Sequence, residues 1–135
     1  MKEVARAILL NEEGQILLGR RARGDSVGMW ALIGGKPDSL DESMQDTIIR
    51  EAFEETGLSL INVYIWKDYI DTSPTTAGEP WHVVVFIAEV VGEPKLQLDE
   101  VSELMVVSEE NLNDLSIAYD HLTIIREYFR IRQAK

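Results

Sequence analysis

Two apolar runs, Val4 to Leu10 and Gln15 to Gly19, flank the polar tetrapeptide Asn11-Glu12-Glu13-Gly14. Short apolar runs joined by four polar residues ending in glycine predict a β-hairpin. Trp30-Ala31-Leu32-Ile33 predicts a short strand running into Gly34-Gly35. From Ser39 to Thr56 the chain has no glycine or proline, and Met44, Ile48 and Ala52 recur at helical spacing with Phe53 at the margin. That stretch predicts an amphipathic helix, with Gly57 as its C′ stop. Ile61 to Ile70 and His82 to Val91 read as long strands, and the unbroken apolar run Val83 to Ala88 predicts a central strand covered on both faces. Between them, Asp71 to Trp81 is rich in Thr, Pro and Gly and predicts a loop. Leu104 to Val107 predicts a further short strand, and Ser108 to Leu112 a helical turn. From Tyr119 onward a helix is predicted, with Leu122, Ile125, Tyr128 and Phe129 on one face and Asp120 as a plausible N-cap.

At 135 residues the chain is expected to form a single domain, spanning 1–135, with a real core. The absence of cysteine excludes disulfides, a thiolate zinc site and a Cys nucleophile. No apolar run reaches the length of a membrane span and the first residues do not read as a signal peptide, so no membrane partner and a cytoplasmic location are expected. A net charge of −11 argues against nucleic acid as a partner. The charge is uneven: residues 37–125 hold three basic against nineteen acidic side chains, while residues 1–36 hold six basic against four acidic. An acidic centre beside a basic segment suits a metal-bridged anionic substrate; it also suits solubility alone.

The candidate chemistry lies in Arg50-Glu51-Ala52-Phe53-Glu54-Glu55-Thr56-Gly57. On a helix Glu51, Glu54 and Glu55 share one face, where like charges repel. A divalent cation reverses the sign of that interaction, and Mg²⁺ takes oxygen ligands of this kind. Clustered glutamates are more often a solvated face, so the wider pattern decides. Gly34-Gly35, Glu42, a gap of seven, Arg50-Glu51, Glu54-Glu55, Gly57 and Leu58 closely resemble the Nudix box, which occupies about residues 34–58. One departure stands out: six residues separate Gly35 from Glu42 where that family usually has five. The extra residue falls in the Pro- and Ser-containing turn, and Ser39-Leu40-Asp41-Glu42 also reads as a capping box. Ile33 stands where the family commonly has proline. The similarity extends to Leu17-Leu18-Gly19-Arg20-Arg21 and to Trp30-Ala31-Leu32 before the double glycine.

The resemblance implies an α/β fold, a Nudix-type α/β/α sandwich with a mixed central β-sheet. It implies Mg²⁺-dependent hydrolysis of a diphosphate linkage in a nucleoside diphosphate derivative, with Mn²⁺ as an alternative ion. Glu51, Glu54 and Glu55 become metal ligands, with Gly35 counted at the metal site, and Glu51 or Glu100 the general base. Arg50 orients the cluster by ion pairing. Arg20, Arg21 and Arg23 are candidate phosphate or base contacts, although a solvated loop explains any one of them equally well. Trp81 and His82 are candidate base contacts, against half-buried packing at a strand end. Tyr119-Asp120-His121 is similar to a triplet in relatives that hydrolyse nucleotide diphosphates, which brings Asp120 to the pocket. The N-terminal segment favours a (deoxy)nucleoside triphosphate as substrate; the Tyr-Asp-His corner favours ADP-ribose or a nucleotide sugar. A non-catalytic nucleotide-sensing module is the alternative of another class. Dimerisation is common in the family, so a homodimer is kept open as a partner.

Overall fold

A computed structural model describes residues 1–72 and 78–133. The hairpin forms from β1 (Lys2–Leu10) and β2 (Ile16–Arg21). The Asn11 side chain accepts the Glu13 and Gln15 N–H groups and so closes the turn. The strand expected over Trp30 to Ile33 is in fact two. β3 (Trp30–Ala31) pairs with β2, and β4 (Ile33–Gly35) pairs with β1. Leu32 makes the crossing, and its N–H is satisfied by the His121 ring rather than by a strand.

Helix α1 (Met44–Thr56) starts later than its sequence suggests. Ser43 is the N-cap: its hydroxyl accepts the Asp46 N–H, and Asp46 in turn accepts the Glu42 N–H. The capping arrangement therefore sits four residues beyond Ser39, and residues 38–41 close a turn of their own, with the Asp38 N–H donating to Asp41. Gly57 ends the helix in the left-handed region (φ 77°). Ile48 and Ala52 are buried on its inner face, whereas Phe53 is 58% exposed and no part of that stripe. β5 (Ser59–Asp71) and β6 (Trp81–Val91) follow. Of the intervening loop, residues 73–77 lie outside the described residues. β7 (Val101–Val107) begins three residues earlier than expected and pairs with β2. A 3₁₀ turn (Glu109–Asp114) leads on to α2 (His121–Gln133).

The sheet has seven strands, mixed because β1 and β6 run parallel while the other pairings are antiparallel. Strand alternation sends side chains to opposite faces. Val4, Ile8, Val83, Val85 and Ile87 pack with Ile124 and Ile125 of α2. Ala5, Ala7, Leu9, Val84, Phe86 and Ala88 pack with Ile48 and Ala52 of α1. An α/β/α sandwich results. Among the described residues no helix is long and apolar enough to cross a membrane.

β4 lies close under β1. A Cβ at Gly34 would stand 2.0 Å from the Ala5 carbonyl oxygen, which is backbone and cannot yield. Gly34→Ala is expected to lower stability by roughly 1–3 kcal/mol or more, measured by denaturant unfolding. On the α1 face of the sheet, His82 bridges Glu3 of β1 (3.0 Å) and Asp68 of β5 (2.7 Å). These bonds, Asp68 first, raise its pKa above the ordinary 6.5. The bridge therefore stabilises fully below about pH 6.5 and is lost as pH rises through the higher, folded-state value. Thermal melts between pH 6 and 9 should show a fall in the wild type that is flatter in His82→Gln.

Candidate active site

Helix α1 carries Arg50, Glu51, Glu54 and Glu55 towards the β4 turn and the segment before β7. Arg50 is the centre of the arrangement. Its Nη1 donates to Glu51 (3.0 Å) and Glu54 (3.1 Å), and its Nη2 to the Lys36 carbonyl (2.9 Å). Its Nε and Nη2 grip both oxygens of Asp41 at 3.1 and 2.9 Å, with Asp38 alongside at 3.3 Å. The Arg50 hydrogen bonds hold the Asp41 carboxyl well below the usual range, and Asp41 raises the Arg50 pKa in return. The carboxylate that meets Arg50 is thus Asp41, not Glu42, which is exposed at the helix start. Counted from Gly35, Asp41 has the family's five-residue spacing, so the extra residue falls between Asp41 and Arg50.

Glu51 lies directly over Gly35: a Cβ there would stand 2.4 Å from the Glu51 Cδ. Gly35 thus makes room for a carboxylate. Glu55 is mostly buried, and burial, with Glu51 and Glu100 adding, pushes its carboxyl up to about 9. Its Oε2 is buried with no hydrogen-bond partner. Glu51, Glu54, Glu55 and Glu100 line a cavity of about 640 Å³, together with Lys95 and Gln97. As they stand, no three His, Asp or Glu side chains among the described residues converge in metal-holding geometry. The reason is visible: Arg50 draws Glu51 and Glu54 towards itself, and Arg23 pairs with Glu100. A mostly buried carboxyl with an orphaned oxygen, facing two further carboxylates, nevertheless fits a hard divalent cation.

Glu55 and Glu100 also border a second cavity, of about 280 Å³, with Arg6, Arg20, Arg21, Arg23 and His121. Arg20 pairs with Glu103 (2.9 Å) and stacks over Trp30, while Arg21 pairs with Asp25 and lies 5.1 Å from the Tyr119 ring centre. A third cavity, of about 200 Å³, continues beyond Arg6 and His121 and is lined by Lys36, Tyr69, Trp81, Tyr119 and Asp120. There the Asp120 carboxylate accepts the Tyr69 hydroxyl (2.6 Å), so its side chain serves the pocket. Lys36 stands 5.1 Å from the centre of the Trp81 ring. The three cavities share wall residues and form one groove: carboxylates, then arginines, then aromatic rings.

Of the residues singled out by sequence, Glu51, Glu54, Glu55, Glu100, Arg20, Arg21, Trp81 and Asp120 line this groove, and Arg50 and Gly35 stand against Glu51 beside it. His82 does not. It follows Trp81 on β6 and therefore points to the opposite face, where Glu3 and Asp68 hold it. Sequence reasoning passed over Arg6, Lys36 and Tyr69, whereas Tyr119 belongs to the Tyr-Asp-His corner it singled out. Arg6 had a readable signal, as the only charge inside the apolar run Val4 to Leu10.

Residues 2–128 match the NUDIX domain family. An ADP-ribose pyrophosphatase of Methanocaldococcus jannaschii is 32% identical over 129 residues, covering 90% of this chain and 70% of that protein. The CTP pyrophosphohydrolase of Escherichia coli is 29% identical over 138 residues, 100% of this chain and 96% of that one. Among solved structures, the NUDIX domain of Shewanella oneidensis NrtR, complexed with ADP ribose, matches with a TM-score of 0.83 at 25% identity, over 98% of this chain and 88% of that one. The MutT protein of Methanosarcina mazei matches at 0.78 and 28% identity, over 99% and 96%. This chain belongs to the Nudix family. It is a hydrolase of phosphorus anhydrides in nucleotide derivatives, and Nudix hydrolases generally need a divalent metal.

The Arg50 geometry separates two neighbouring acids. Asp41→Asn should lower activity on the order of 10- to 100-fold, as loss of a group that orients ligands does, and lower the melting midpoint. Glu42→Gln should leave both close to wild type. Steady-state rates and thermal melts of the two variants, side by side, check this.

Proposed function

We propose that this chain is a single-domain, Mg²⁺-dependent pyrophosphohydrolase of (deoxy)nucleoside triphosphates, releasing a nucleoside monophosphate and pyrophosphate. The observation that carries the reading is the shared wall between the acidic cavity and the arginine cleft, formed by Glu55 and Glu100. An anhydride laid across that wall has carboxylates on one side and guanidinium groups on the other. The likeness to the CTP pyrophosphohydrolase runs the full length of this chain, which supports a triphosphate.

Glu51, Glu54 and Glu55, with Gly35 beside them, are the residues that would hold the ion. Bound there, it would neutralise phosphoryl oxygens and make a water acidic enough to attack near neutral pH. Arg50 positions the carboxylates. Glu100 faces both cavities and accepts the proton of the attacking water in this reading, with Glu51 as the other candidate base. Arg20 and Arg21, with Arg23, contact phosphoryl oxygens through forked donors. Trp81 stacks on the base, and the Asp120 carboxylate accepts a donor from it.

ADP-ribose is the second substrate to test, favoured by the 32% identity to an ADP-ribose pyrophosphatase and by Asp120 at the aromatic end. A panel of nucleoside triphosphates, ADP-ribose and nucleotide sugars, assayed for released products with and without Mg²⁺, separates the two. A triphosphate substrate gives pyrophosphate; ADP-ribose gives AMP and ribose phosphate. Glu54→Gln/Glu55→Gln should abolish metal-dependent turnover, a loss on the order of 100-fold or more. If nothing turns over but a nucleotide raises the melting midpoint, a sensor replaces the enzyme. Turnover that survives in the variant would sink the metal-site assignment.

A further inference from the structure

Arg6 is the charged residue within the apolar stretch of β1, on the α2 face between Val4 and Ile8. Among the described residues no carboxylate comes within ion-pair distance of it. Its Nη1 donates to the Ala5 carbonyl at 3.2 Å, and its Nε lies 3.1 Å from the His121 Nε2. Burial disfavours the charged guanidinium, and the more distant Glu55 carboxylate only partly offsets this. A guanidinium offers five N–H donors, and among the described residues only the Ala5 carbonyl and the His121 ring meet them. Arg6 is part-buried and lines two cavities, so its spare donors face space that an anion can enter.

The contact with His121 does not complete the Arg6 donor set. The Leu32 N–H donates to the His121 Nδ1 at 3.1 Å. Burial, with Arg6 and Arg21 adding, keeps this imidazole neutral. A neutral imidazole has one acceptor nitrogen. The Leu32 N–H and the Arg6 Nε–H both point at the ring, which can accept only one of them. If Arg6 turns away, Nδ1 is free to serve Leu32 and Nε2 to carry the ring proton.

Both residues line the arginine cleft and the aromatic cavity, so they form the throat between the two. A nucleotide with its base among Trp81 and Tyr69 and its anhydride beside Glu55 and Glu100 passes its 5′-phosphoryl group through that throat. We infer that Arg6 binds the phosphoryl group adjacent to the nucleoside, turning from His121 to that anion and leaving the His121 Nε2–H to donate to the same group. The inference rests on the nucleotide reading above and adds a phosphate contact supplied by β1.

The test is binding without turnover or metal. Calorimetric titrations in EDTA would compare CMP with cytidine and AMP with adenosine, for the wild type, Arg6→Gln and Arg6→Lys. The wild type should prefer a monophosphate over its nucleoside by roughly tenfold or more, as a charge-assisted contact implies. Arg6→Gln should lose most of that preference while binding the nucleoside as before, and Arg6→Lys should retain part. A wild type without the preference, or an Arg6→Gln protein that keeps it, overturns the inference. So does an equal loss for nucleoside and monophosphate. If Arg6→Gln does not fold, the wild type still decides: the ¹⁵N resonances of the Arg6 Nε and His121 Nε2 should shift on adding CMP or AMP, and not on adding the nucleoside. Unmoved resonances overturn it. Failure of every triphosphate in the turnover panel would instead remove the catalytic reading and leave this comparison standing.

Discussion

One guanidinium makes the acidic helix viable. Glu51, Glu54 and Glu55 share a helix face and repel one another, while Asp38 and Asp41 crowd the same end of the loop. Arg50 stands among them and donates to Asp41, Glu51, Glu54 and the Lys36 carbonyl. A planar fork with five donors can satisfy several acceptors at once, and an ammonium in its place could not match that geometry. The β4 turn, the loop before α1 and the first two glutamates are thereby set relative to each other. Glu55 makes no contact with Arg50; it is mostly buried beside Glu51, with one oxygen unpaired, and burial pushes its carboxyl up to about 9. The site is built around that residual electrostatic demand.

Backbone geometry supplies the rest. Gly34 lies against the Ala5 carbonyl and Gly35 against the Glu51 carboxylate, so β4 passes between strand and helix with no side chain in the way. The parallel pair β1 and β6 sets Lys2 beside Trp81 and Arg6 beside Val85. Alternation then puts Arg6 and Trp81 on the α2 face, and Glu3 and His82 on the α1 face. A single-residue step along β6 thus separates a groove aromatic from a histidine that clasps two strands.

The additional residue in the loop shows what such a fold tolerates. It lies between the Asp38–Asp41 turn and the Ser43 cap of α1, with no ladder hydrogen bonds to preserve. The helix register from Arg50 onward is untouched. What changes is which carboxylate reaches Arg50: the shorter Asp41, one position before the glutamate that the spacing from Arg50 points to.

The sequence by itself determined the hairpin, the helix bearing Glu51, Glu54 and Glu55, the continuous apolar strand β6 and the family of the chain. Each of these rests on local periodicity or on fixed spacing within a few turns. It did not determine that Trp30 to Ile33 splits between two partner strands, because that depends on His121, far along the chain, accepting the Leu32 N–H. Nor did it decide that Asp41 replaces Glu42, since capping and ion pairing compete across a loop whose path only packing sets. The groove itself is tertiary: Arg6 from β1, Arg21 from β2, Glu55 from α1, Glu100 ahead of β7 and His121 from α2 are distant in sequence. Local patterns fix elements because their hydrogen bonds close within a few residues; the order of electrostatic partners is decided only when the folded sheet brings those elements together.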